Sequence, residues 1–234
     1  MSRRAFPGTR WSLVLRAGDG KRAALEELCT VYWYPLYAYV RSRGHSFEGA
    51  QDLTQGFFLR LLGRDDLSGV KADRGRFRSF LLTALKHYLA DEWDKATAQK
   101  RGGKAVLYAL DCVEGERRYQ EEPADLRSPD AVFERRWALA LINEVLGRLG
   151  EEYDSRGQKE VFDGLSPYLT GANQGTPYRI VARSLGRSVT WVKVAVHRMR
   201  KRFGEVLREE VAQTVENPKE VDLEIKELML ILSD

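Results

Sequence analysis

Cations and hydroxyls spaced for anion binding dominate the chemistry this sequence offers. Thr190, Lys193, His197, Arg198 and Lys201 recur at helical intervals, so one face of a helix would carry them, with Arg200 and Arg202 beside them. Ser188, at the expected helix start, and Trp191 extend the same set. Such a face suits a DNA major groove, because phosphates attract the charge and Arg or Lys reaches guanine edges. An ordinary solvated basic face is the competing reading. A second cationic group comprises Arg74, Arg76, Arg78, Lys86, His87 and Lys95, followed by Lys100, Arg101 and Lys104. It is interleaved with Phe80, Tyr88 and Trp93, and aromatics beside cations are how proteins hold unstacked bases. The spacing favours the core for Phe80 and Tyr88 and leaves Trp93 open.

Catalysis is poorly supplied. Asp91 and Asp94 lie three apart on an expected helix and could share a divalent metal, but no third ligand accompanies them. The three histidines are scattered, so no nucleophile–base set forms, and neither a metal nor a cofactor is expected. Cys29 and Cys112 form no CxxC pair, which points to a reduced protein without a zinc site. No apolar run is long enough to span a bilayer, and the start lacks the apolar core of a signal peptide. The expected location is therefore cytoplasmic, and a DNA partner would place the chain on the nucleoid. A net charge of +4 over 234 residues fits a nucleic-acid partner without requiring one.

The elements that must position these residues read as all-α. Thr176-Pro177 starts a short helix, Leu185-Gly186 stops it, and Ser188 caps the next. Ala182 is small where two helices would cross, and Val192, Ala195, Val196, Met199 and Phe203 form the inner stripe of the second helix. This is helix-turn-helix chemistry. Upstream, residues 9–43 read as helix, broken at Gly18-Asp19-Gly20, with a kink or break expected at Pro35. Ser46 caps a helix that buries Ala50, Leu53, Phe57 and Leu61 and turns Glu48, Asp52, Gln55 and Leu59 to another face, suited to protein docking. A polar loop over 64–76 precedes a helix whose inner side is Phe77, Leu81, Ala84, Leu85 and Tyr88. Acidic residues with Pro123 and Pro129 mark 98–131 as a linker. Helical pattern returns at Val132, and a helix is expected over Glu160–Leu169. The tail after Pro218 predicts a helix with Val221, Ile225, Leu228 and Leu232 on one face.

Laid out this way, the chain resembles bacterial RNA polymerase sigma factors of the extracytoplasmic-function (ECF) group over roughly residues 9–210. Asp52-Leu53-Thr54-Gln55-Gly56-Phe57, with Phe58 next, is similar to the family's clamp-docking DLxQxxF helix. FRSFLLTALKHYLADEWD is similar to its minus-ten helix at Phe77, Arg78, Leu81 and Asp91; Phe80, His87 and Asp94 depart from it. Lys193, His197, Arg198 and Arg200 match its GTVKSRLHRAR-like recognition helix, while Val194 and Ala195 replace a serine and an arginine. The resemblance implies a non-enzymatic specificity subunit with core RNA polymerase and promoter DNA as partners. It leaves room for an anti-sigma protein or a regulatory kinase. Glu48, Asp52, Gln55, Phe58 and Leu59 would bind polymerase. It divides the chain into 9–97, a region-two-like bundle that binds clamp and minus-ten DNA; 98–131, the linker; 132–210, the region-four-like minus-thirty-five domain; and 211–234, an extension. We expect that extension, acidic where the recognition helix is cationic, to fold back on the chain's own basic or apolar surfaces; a helix that completes the core of the second domain is the alternative. A stand-alone helix-turn-helix regulator of duplex DNA is the alternative.

Overall fold

A computed structural model describes residues 21–63, 76–98, 112–121, 128–170, 177–215 and 217–233. Among them every regular element is helical. In chain order they are α1 (Lys21–Ser42), α2 (Phe47–Gly63), α3 (Phe77–Ala98), α4 (Cys112–Glu121), α5 (Pro129–Asp154), α6 (Lys159–Leu165), α7 (Pro167–Thr170), α8 (Tyr178–Ser184), α9 (Val189–Ala212), a single 3₁₀ turn (Pro218–Glu220) and α10 (Val221–Ser233). The chain folds into two compact units. The first combines Met1–Ala140 with Ala212–Asp234; the second is Leu141–Val211. This division starts the second unit later than the expected 132, within α5, and returns the tail to the first unit.

Aromatics build the first unit. Tyr32 stacks on Trp137 with ring centroids 4.0 Å apart and planes 10° apart. Phe77 meets both rings, at 6.0 and 5.9 Å, in the inclined geometry that aromatic quadrupoles favour. Tyr37, Leu36, Leu81, Leu85 and Phe133 complete a fully buried set. Pro35 does not break α1, which runs through it. The buried flanking residues Tyr34, Leu36 and Tyr37 fix the local path, and such packing outweighs one lost backbone bond. Ser46 caps α2 as expected, its Oγ accepting from the Gly49 N–H at 3.1 Å. The sequence between the basic group and α5 is not featureless. Helix α4 lies there, with Glu116 paired to Arg41 at 2.9 Å and Arg118 over the Tyr34 ring at 4.1 Å. At Gly56 a Cβ would meet the Tyr88 hydroxyl, so the glycine leaves room for that ring against α2.

The second unit is organised around Leu149, Leu165, Val181, Ala182, Val192, Val196 and Met199, all buried. The helix expected over Glu160–Leu169 is two short helices with Ser166 between them. Pro167 supplies no N–H to continue the first, so the Ser166 N–H to Phe162 C=O bond (2.8 Å) is its last.

Candidate nucleic-acid interface

Helices α8 and α9 join through a three-part stop. The Leu185 N–H donates to the Val181 C=O at 3.0 Å and the Arg187 N–H to the Ala182 C=O at 2.8 Å, while Gly186 sits at φ +61°. That is the left-handed termination a glycine accepts without strain. Ser188 then caps α9, its Oγ accepting from the Trp191 N–H at 3.1 Å. Pro177 occupies the cap position of α8 rather than its first turn, with ψ 138° and no side-chain cap bond. Thr176 lies outside the described residues.

The inner stripe of α9 is Val192, Val196 and Met199, with Ala195 and Phe203 half-buried beside it. The residues this leaves outside are the expected ones. Ser188, Thr190, Lys193, His197, Arg198, Arg200 and Lys201 are exposed, and Trp191 is half-buried under the Arg187 guanidinium at 5.3 Å. Arg200 donates to the Tyr168 C=O at 3.2 Å. Among the described residues, no carboxylate partners Lys193, His197, Arg198 or Lys201 in a salt bridge. Arg202 is different. Its Nη2 lies 2.6 Å and its Nε 3.0 Å from the two oxygens of Glu152, and its Nη1 3.1 Å from Glu205. These hydrogen bonds raise the Arg202 pKa and hold the Glu152 carboxyl below its ordinary range. Arg202 is a fastener, not part of the exposed cationic face. Sequence reasoning passed over Arg179, Arg183 and Arg187, which are exposed on α8 and the turn; their spacing ahead of a capped helix was the available signal.

The basic group of the first unit is arranged otherwise. Arg76 and Arg78 are not open cations: the α10 carboxylates hold both. Arg76 Nε is 2.8 Å from Glu224 Oε2 and its Nη2 2.5 Å from Glu227 Oε1. Arg78 is buried; its Nε is 2.8 Å from Glu224 Oε1, its Nη2 3.1 Å from Glu227 Oε2, and Glu134 meets its Nη1. Lys86 Nζ lies 2.6 Å from Asp130 Oδ2 in an exposed pair, and His87 is exposed. Arg74 and the Lys95 side chain lie outside the described residues. Tyr88 is buried, Phe80 half-buried, and Trp93 is 69% exposed at the edge of an open depression of about 530 Å³ lined also by Arg43, Leu53 and Lys86. Asp91 is engaged by Arg60 at 2.5 Å.

On α2, Glu48 and Asp52 are exposed and Leu59 is half-buried. Gln55 and Phe58 are buried, as is Thr54, because α2 buries a wider arc than the expected stripe. Leu53, expected inside, is only half-buried. Among the described residues, no helix is long and apolar enough to cross a membrane.

The family model described as "ECF sigma factor" matches residues 12–198. No curated protein and no solved structure matches the chain.

Proposed function

The chain belongs to the ECF sigma factor family, and from that premise we propose that it binds core RNA polymerase and directs it to promoters whose minus-thirty-five element is read by α9. The observation that carries the reading is the separation of charge along one helix. Lys193, His197, Arg198 and Lys201 point to solvent without carboxylate partners among the described residues, while Arg202 on the same helix is neutralised by Glu152. A face kept cationic in this way suits phosphate and base-edge contacts.

The rest of the mechanism follows from linkage. Neither DNA-binding module need bind tightly alone, since holding both on polymerase makes the second contact intramolecular. Of the proposed docking residues, Glu48, Asp52 and Leu59 are the ones a partner can reach, with Gln55 and Phe58 supporting them from inside. Opening of the minus-ten strand would be met by the first unit, with Trp93 available to stack an unpaired base.

The test adds the purified chain to core polymerase and maps transcription start sites genome-wide. Specific starts that depend on the chain are expected, and Lys193→Ala with Arg198→Ala should weaken promoter binding about tenfold or more. Specific binding to duplex DNA without any capture of polymerase would replace this reading with that of a stand-alone regulator.

A further inference from the structure

The C-terminal segment does more than fill a surface. Its Glu224 and Glu227, one turn apart on α10, present carboxylate oxygens to two arginine forks. Those forks recognise phosphate oxygens by the same paired geometry. The segment also supplies the Thr214 C=O to the Phe77 N–H at 2.9 Å, so a first-turn donor of α3 is already taken. Thr214, Val215, Val221 and Leu228 are buried, which seats the segment by apolar area as well as by charge. The segment thus folds back on a basic surface of the chain, and the surface its carboxylates meet is the entrance of α3.

We propose that residues 212–234 form an internal latch, in which Glu224 and Glu227 occupy Arg76 and Arg78 in place of nucleic-acid phosphates. This rests on the reading above, that α3 faces promoter DNA. The latch has an outer and an inner half. The outer pair is open to solvent, Arg76 at 26% and Glu227 at 34% side-chain exposure, so a phosphate can reach Arg76 and displace Glu227. The inner pair is sealed, Arg78 at 5% and Glu224 at 2%, and Glu134 of α5 holds Arg78 as well. It can be exposed only when α10 lifts away. A helix of 13 residues is marginal by itself, so α10 loses its order when it lifts away from both its ionic and its apolar contacts.

The experiment uses the full-length chain and a labelled single-stranded oligothymidylate. Glu227→Gln should bind about tenfold tighter than the parent, the worth of a charge-assisted contact regained. Its log K against log salt should steepen by about 0.7 for each added phosphate contact. Amide exchange over 217–233 in the unmodified chain should accelerate at saturating oligothymidylate, a readout that does not depend on any variant folding. Unchanged affinity in Glu227→Gln, or exchange over 217–233 that is indifferent to bound oligothymidylate, overturns the latch. Absence of binding by both forms overturns it equally. Polymerase capture and chain-dependent starts, scored separately, report on the underlying function, so a failed latch beside intact initiation is distinguishable from failure of both.

Discussion

Arg198 and Arg202 stand one turn apart on α9, yet they do different work, and the difference lies in their surroundings. Arg202 meets Glu152 with two parallel bonds and Glu205 with a third, whereas Arg198 faces solvent. Removing each should therefore register in a different experiment. Arg202→Ala is expected to lower unfolding stability by about 1 kcal/mol, a figure kept small because the pair is partly exposed and screened. Arg198→Ala should leave the denaturation midpoint in place and weaken promoter binding. Gly186 allows a stricter test of backbone alone. Nothing lies within 4 Å of the position a Cβ would take, so Gly186→Ala meets no clash, only the left-handed φ of +61°. We expect a loss of about 1 kcal/mol in chemical denaturation. A neutral result would mean that the turn relaxes to another conformation.

At the scale of elements, the helix-turn-helix was legible because its signals are local: a capping serine, a stop glycine, a small crossing residue and a stripe that repeats at helical spacing. α10 was legible as a helix and in most of its apolar face, but not in its buried glutamate. Apolar periodicity put Val221, Ile225, Leu228 and Leu232 on one face; Val221 and Leu228 are buried and Ile225 and Leu232 half-buried, and Glu224 is buried with them. A glutamate is read as outward unless its partner is known, and that partner, Arg78, lies 146 positions away. Gln55, expected on the outer face of α2 and found buried, has a related reason. The width of the arc a helix buries depends on its neighbours, and those are tertiary facts. Tyr32 and Trp137 make the same point, since a stack between α1 and α5 leaves no trace in either local pattern. That stack should matter greatly. Trp137 is 1% exposed in the centre of the first unit, so Trp137→Ala is expected to cost about 3–5 kcal/mol, measured by denaturant unfolding. Trp137→Phe, which keeps a ring against Tyr32 and Phe77, should recover much of it.

Across the whole molecule, ion pairs join segments far apart in sequence, and this fixes how stability must respond to pH. The Arg76 hydrogen bond leads the causes that hold the Glu227 carboxyl below its ordinary value, and the Arg202 bond does the same for Glu152. For Glu116, burial opposes ionisation, but bonds from Arg41, Tyr37 and Gln120 outweigh it and the net direction is again downward. Each of these groups releases its proton more readily in the folded chain, so below pH 4.5 the unfolded state binds more protons. Their stabilisation is present above that value and is lost as pH falls through the folded pKa values. His45 adds an earlier step, because burial, helped by Arg43, lowers its pKa from 6.5; the unfolded chain takes up its proton first as pH falls. On the alkaline side burial raises the Tyr88 phenol to about 12, so the unfolded chain ionises first above pH 10. Thermal unfolding should therefore give a midpoint that is level between about pH 7 and 9.5, falls gently near 6.5 and steeply below about 4.5. Glu227→Gln should make the acid limb shallower and leave the gentle step at His45 unchanged. An acid limb identical in that variant would mean that the Glu227 carboxylate contributes nothing to holding the first unit together.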